Sequence, residues 1–188
     1  MLEVVQETLS AAEKKMQRAV EVTQEDFAGI RTGRATPALV EKLMVEYYGA
    51  DTPLQQLAQI TVPEPRVLAV APYDKNTIAA IEKAILASNI GITPSNDGSV
   101  IHLGVPALTE ERRKEMVKNA HSRAEEGRVS IRNVRRHARD ELEDWKKEGE
   151  LSEDDLKRAE KELQDLTDRY VKEIDEMLQR KEAELLEV

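Results

Sequence analysis

The sequence predicts an α+β protein, a long three-helix bundle interrupted by a small inserted domain, and three observations carry that reading. Apolar residues recur at helical spacing along both flanks of the chain. The middle switches to proline- and glycine-rich segments with short alternating runs. Aromatic content is too low for a large globular core. Of 188 residues, 35% are charged and 3% aromatic, and such a composition favours long helices with narrow apolar seams.

The first flank places Val5, Leu9, Ala12, Met16, Ala19, Thr23, Phe27 and Ile30 three or four residues apart, on one stripe of a helix. A second seam runs through Val117, Ala120, Ala124, Ile131, Val134, Ala138, Leu142 and Trp145 and skips the Gly127 region. A third takes Leu156, Ala159, Leu163, Leu166, Tyr170, Ile174 and Met177. Thr109 is placed to cap the second helix, with Glu110 and Glu111 in its first turn, and Gly149 to close it. Ser152 with Asp155 resembles a capping box for the third. So short a connection makes the second and third helices antiparallel, with the first filling their groove in a rod of about 55 to 60 Å.

Residues 31–105 hold all but one of the seven prolines and five of the eight glycines. They read as a small α+β domain inserted into a bundle made of residues 1–30 and 106–188. Leu43, Val45 and Tyr47 alternate with polar neighbours as in a half-buried strand, and Gln59 to Val62, Val67 to Ala71 and Val100 to Leu103 are further strand candidates. Pro72 suits an edge or a strand end. Asp74 can cap a helix carrying Ile78, Ile81 and Ile85, ended near Asn89 or Gly91, and Ser95-Asn-Asp-Gly98 marks a turn. Two chain crossings join the domains. Gly33 and Gly104 give the joint freedom while Pro37 and Pro106, with Val105 between, restrict it, so a hinge and a bent, L-shaped molecule are expected.

The net charge of −9 is unevenly spread. Residues 140–188 hold 19 Asp and Glu against 9 Lys and Arg, whereas residues 1–139 hold 18 against 19. An anionic partner is therefore compatible with the first three quarters of the chain. Arg128, Arg132, Arg135, Arg136 and Arg139 fall within twelve residues, and four of them share a helical face. Planar guanidinium groups suit phosphate; they equally suit pairing with acids of neighbouring helices, and the acidic third helix keeps that second reading open. Arg31 and Arg34 in the joint, with Arg112, Arg113 and Lys114 at the start of the second long helix, pose the same choice: an RNA backbone, or the acids Glu182 and Glu184 and a helix terminus.

Catalytic signatures are missing from the sequence. His102, His121 and His137 lack metal-ligand spacing, and no phosphate-binding loop or nucleophile elbow occurs. The Tyr47-Tyr48 pair can stack a base or serve as core. The absence of cysteine excludes a disulfide framework and thiolate metal sites. No signal-peptide pattern or run of about 20 apolar residues occurs, so a cytoplasmic protein without membrane association is expected. The competing classes are a helical protein-binding scaffold and a small enzyme that binds phosphorylated substrates.

Six segments resemble ribosome recycling factors. They are Ile30-Arg-Thr-Gly-Arg-Ala-Thr-Pro-Ala-Leu39, Val45-Glu-Tyr-Tyr-Gly49, Thr52-Pro-Leu-Gln-Gln-Leu57, Leu108-Thr-Glu-Glu-Arg-Arg-Lys114, Ala124 through Val129-Ser-Ile-Arg-Asn-Val-Arg-Arg136, and Ser152-Glu-Asp-Asp155, in order over nearly the whole chain. The resemblance implies a three-helix bundle hinged to a three-layer β/α/β domain, and a non-enzymatic monomer without cofactor. It implies binding in the intersubunit space of the post-termination ribosome, with the bundle against large-subunit rRNA. Elongation factor G, using GTP, would then act on the insert to separate the subunits. The family's RNA-contact arginines fall on Arg132 and Arg135, supported by Arg31, Arg34 and Arg113.

Overall fold

The structure is a computed structural model that describes residues 2–187. The chain divides into two compact units, one running to Thr32 and resuming at Glu110, the other spanning Gly33–Thr109. The first unit packs α1 (Glu3–Ala28), α4 (Glu110–Lys147) and α5 (Glu153–Leu186) against one another. At 1.5 Å per residue the 38 residues of α4 extend about 57 Å.

The helix ends follow local chemistry. At the end of α4, Gly149 takes φ +85°, its N–H donates to the Lys146 carbonyl, and the Glu150 N–H donates to the Trp145 carbonyl. Glycine alone enters that left-handed position cheaply, so the helix stops there. Three residues later the Ser152 hydroxyl accepts from the Asp155 N–H at 3.1 Å while Asp155 accepts from the Ser152 N–H at 3.2 Å, and this capping box opens α5.

The seams depart from the expected ones in three places. On α1, Val20 is buried and Ala19 only half-buried, and Thr8 joins the core beside Leu9. On α5, Thr167 and Leu178 take the central positions expected of Leu166 and Met177, which sit at the margin. A helix packed between two neighbours buries a face wider than one stripe, and the 3.6-residue turn drifts along a helix this long. On α4 the seam passes through Gly127 instead of skipping it. A Cβ there would lie 2.4 Å from Thr23 Oγ1 and 2.8 Å from Ile174 Cδ1, so the missing side chain is what lets α1 and α5 approach α4 at this level.

The second unit has three layers. A hairpin of β1 (Met44–Tyr47) and β2 (Ala50–Pro53) forms one; α3 (Ile78–Ala87) forms the middle; an antiparallel sheet in the order β3-β4-β6-β5 forms the other. Its strands are β3 (Ala58–Glu64), β4 (Val67–Pro72), β5 (Pro94–Asn96) and β6 (Ile101–Gly104), and the one-turn helix α2 (Leu54–Leu57) links hairpin to sheet. Leu68 and Val70 lie opposite Leu103 and Ile101, and these four join Val45 of the hairpin and Ile81 and Ile85 of α3 in one buried cluster. Asp74 accepts from the Asn76 N–H and starts a 3-10 turn that leads into α3. The helix ends at Ala87, earlier than Asn89, with the Ser88 hydroxyl donating to the Ile85 carbonyl.

Strands β2 and β5 were not expected. Ala-Asp-Thr-Pro and Pro-Ser-Asn lack β-branched apolar runs, and pairing with β1 and β6 makes them strands. Ser95 and Asn96, read as turn, belong to β5. The turn itself is Asp97 to Ser99, where Asp97 accepts from the Ser99 and Val100 N–H groups.

Candidate nucleic-acid interface

The five clustered arginines of α4, Arg128, Arg132, Arg135, Arg136 and Arg139, lie on turns where the apolar seam has one side and solvent the other, and the structure separates them by partner. Arg128 is the most enclosed, with its side chain 18% exposed. Its Nε and Nη2 each meet Asp175 Oδ1 of α5 at 2.7 Å, and its Nη1 meets Glu125 at 3.1 Å. Burial pushes its pKa down, and the hydrogen bonds to Asp175 and Glu125 reverse that and leave it raised. Arg139 is bound on both sides, its Nε lying 3.2 Å from Glu143 and from Glu160. For these two the helix-pairing reading describes what is seen.

The other three are less fully paired within the protein. Arg132 reaches Glu125 at 3.4 Å, a carboxylate already shared with Arg128, and its side chain is 48% exposed. Arg135 donates to Gln164 Oε1 at 3.0 Å, a neutral acceptor held in place by Asp168. Arg136 is exposed and makes no ion pair or hydrogen bond with a side chain among the described residues. Arg135, Arg136 and Arg139 line a cleft of about 420 Å³ with Glu160, Leu163 and Gln164 of α5. The α5 wall of that cleft escaped sequence reasoning, because only the antiparallel register of α4 and α5 brings residue 164 to residue 135.

Of the outlying basic residues, Arg31 is exposed just beyond α1 and Arg34 is exposed in the insert, and both already have interactions within the protein. Arg113 is half-buried in the first turns of α4, between Arg112, which meets Glu115 at 3.0 Å, and Lys114, which meets Glu110 at 3.3 Å. Of the α5 acids considered as their partners, Glu182 contacts His121 and Glu184 meets Lys181 at 3.2 Å.

The expected hinge positions divide as well. Pro37 opens a 3-10 turn, Gly104 ends β6, and the Val105 N–H donates to the Arg66 carbonyl at 2.7 Å, so these three are built into the insert. Gly33, at φ +78° with a would-be Cβ 3.4 Å from the Leu108 nitrogen, and the stretch from Pro106 lie nearer the crossings at Thr32/Gly33 and Thr109/Glu110. The crossings thus fall a few residues after the boundaries expected at residues 30 and 106, and the backbone hydrogen bonds of Ala35 to Pro65 and of Val105 to Arg66 hold the flanking segments of the insert to its sheet.

Among the described residues no group of three or more His, Asp or Glu could hold a metal, and no helix is long and apolar enough to cross a membrane. His102 lies 3.6 Å from Asp97, and His137 is exposed.

The model of a family described as ribosome recycling factor matches residues 23–186. The ribosome-recycling factors of Acidothermus cellulolyticus and Thermobifida fusca are each 57% identical to this chain over 185 residues, 98% of it and 100% of theirs. That of Carboxydothermus hydrogenoformans is 54% identical over the same share. Among solved structures, a solution structure of a ribosome recycling factor covers 100% of both chains at 44% identity and a TM-score of 0.79. A Thermus thermophilus ribosome recycling factor, placed with Escherichia coli elongation factor G on the post-termination complex, covers 97% of this chain and 99% of its own at 48% identity and a TM-score of 0.66.

Proposed function

This chain belongs to the ribosome recycling factor family, and from that premise we propose that it binds the post-termination ribosome and, with elongation factor G and GTP, promotes its dissociation into subunits. It acts as a non-enzymatic translation factor in the cytoplasm, and GTP is turned over by the partner. The bundle docks on large-subunit rRNA in the intersubunit space.

The observation that carries the docking assignment is the incomplete neutralisation of Arg132, Arg135 and Arg136 on a unit that is otherwise strongly acidic. A fixed row of guanidinium groups with free donors fits a phosphate backbone, and the cleft between Arg135, Arg136 and Gln164 gives one phosphate or base a recess. Arg128 and Arg139 shape the row by anchoring α4 to α5 and contribute to the field at short range. Arg113, Arg31 and Arg34 supply outlying contacts. The joint near Gly33 and Pro106 lets force applied to the insert reach the rod.

Subunit sedimentation tests the whole reading. Purified post-termination ribosomes should split when the protein, elongation factor G and GTP are all present and stay intact when any one is omitted. Intact ribosomes in the complete mixture would overturn it. For the interface, Arg132→Ala with Arg135→Ala should weaken ribosome binding and flatten the slope of log affinity against log salt by about 1.5 units, roughly 0.7 to 0.9 per lost phosphate contact. Lysine at both positions should restore the slope but only part of the affinity, since charge returns without the planar fork.

A further inference from the structure

The basic side chains that reach from α4 across to α5 form a ladder, because the two helices run antiparallel. His121 contacts Glu182, Arg128 meets Asp175 at 2.7 Å, Arg135 meets Gln164 at 3.0 Å, and Arg139 meets Glu160 at 3.2 Å. On three of these rungs the group on α5 is a carboxylate. Opposite Arg135 it is an amide, although acids lie one turn to either side, at Glu160 and Asp168. That amide is fixed in direction. Gln164 Nε2 donates to Asp168 Oδ1 at 2.8 Å while Oε1 accepts from Arg135, and turning it round would set N–H against N–H and oxygen against carboxylate. Arg135 makes no ion pair among the described residues, and Nη1 alone of its nitrogens has an acceptor there. The neutral rung also coincides with the cleft of about 420 Å³ that Arg135 and Gln164 line beside Arg136.

We propose that Gln164 is a positioning residue for RNA docking: it holds the Arg135 guanidinium in the wall of the cleft and leaves its charge for a backbone phosphate. A guanidinium carries five N–H donors, and one bond at Nη1 spares the edge formed by Nε and Nη2, which can grip two phosphate oxygens side by side. A carboxylate on this rung would neutralise Arg135 before the phosphate arrived, and the phosphate would then have to displace it. An apolar residue would leave the long side chain unordered, and ordering it on binding costs free energy. The amide avoids both outcomes and forgoes only the small stabilisation that a surface ion pair gives. Glu160, the acid in the cleft, is paired with Arg139, which offsets its repulsion of an incoming phosphate. Asp168 and Gln164 thus act through Arg135, which makes the contact. The inference rests on the ribosome reading for its ligand.

The test measures binding of the full chain to purified post-termination ribosomes over a range of salt concentrations, with the melting temperature of each variant read alongside. Gln164→Glu, equal in size, turns the rung into an ion pair. Affinity should fall about tenfold, and the slope of log affinity against log salt should flatten by roughly 0.7 to 0.9, the share of one phosphate contact. The melting temperature should hold or rise, whereas a merely structural glutamine would lose stability and leave the slope alone. Gln164→Ala should weaken binding about threefold to fivefold with the slope kept, because the charge stays and its aim is lost. A double-mutant cycle removes simple repulsion by the new carboxylate as an explanation: with Arg135→Ala in place, Gln164→Glu should change affinity by less than about twofold. An undiminished effect in that background, unchanged binding by either Gln164 variant beside an active wild type, or losses that follow the melting temperature would each overturn this inference alone. A wild type that neither binds ribosomes nor splits them with elongation factor G and GTP overturns the functional reading as well.

Discussion

In the bundle the centre of the seam is lined by Ala12, Ala120, Ala124, Gly127, Ala138 and Ala159 between larger residues such as Met16, Ile131 and Leu163, whereas the insert gathers Leu54, Leu68, Val70, Ile81, Ile101 and Leu103 into one closed cluster. Along the bundle's edges, ion pairs such as Arg128 with Asp175 and Arg139 with Glu160 tie helix to helix. The insert satisfies its polar groups mainly at turns, as at Asp74 and Asp97. A rod spreads its cohesion thinly over many layers and leaves long faces open to a ligand. The small domain depends on a few residues that touch everything else.

The contrast predicts where single substitutions hurt most. Leu68→Ala should cost the insert about 3 kcal/mol, as cavity-forming changes at closed sites do. Native-state hydrogen exchange should show protection lost in β3, β4 and β6 while α1, α4 and α5 keep theirs; simultaneous loss in both units would show that they do not stabilise independently.

Gly127→Ala is the bundle's sharpest test, since helix propensity alone favours alanine by about 1 kcal/mol. The contacts with Thr23 and Ile174 reverse the sign, so urea unfolding should show a net loss of about 1 to 2 kcal/mol through overpacking. A stabilised variant would mean that the helices separate at this level without penalty.

Arg128→Ala should cost about 1 kcal/mol by leaving the Asp175 carboxylate half-exposed and unpaired, with the ribosome-binding salt slope nearly unchanged. Arg132→Ala with Arg135→Ala should do the opposite, moving stability by no more than about 0.5 kcal/mol. If Arg128→Ala flattens the slope as much as that pair does, the division of the stripe by partner is wrong.

The smallest effects lie in acid. The Ser152 hydroxyl and then its N–H hold the Asp155 carboxyl below the ordinary 3.8, and the Val100 and Ser99 N–H groups do the same for Asp97. A carboxyl with a lowered folded pKa adds stability that is complete above its unfolded value and lost as pH falls through the folded one. Asp155→Asn should therefore flatten the acid limb of the bundle's stability below about pH 4, and Asp97→Asn that of the insert. Each is read from melting curves of the two units between pH 2 and pH 5.

Much of the architecture follows from local pattern. Three long helices appear in the spacing of their apolar residues, and the capping box at Ser152, the glycine stop at 149, and β1, β3, β4 and β6 follow from rules that act within a few residues. The arginine row was equally visible, as was the family resemblance. Which apolar positions reach the centre was less so, as Val20, Thr167 and Leu178 demonstrate, because burial depends on the wider face a helix shares with two neighbours.

The sequence by itself therefore determined the long helices, the strands β1, β3, β4 and β6, and their order, since propensity, capping and periodicity are properties of neighbours along the chain. Only the tertiary structure decided that Gly127 is a point of closest approach, that Ala50–Pro53 and Pro94–Asn96 are strands, and that Arg128 has a side-chain partner among the described residues while Arg136 has none there. The two strands depend on the neighbouring strand each pairs with, and the outcomes on α4 depend on groups tens of residues away, Ile174 against Gly127 and Asp175 against Arg128. Contacts of that range exist only once the helices have taken their register.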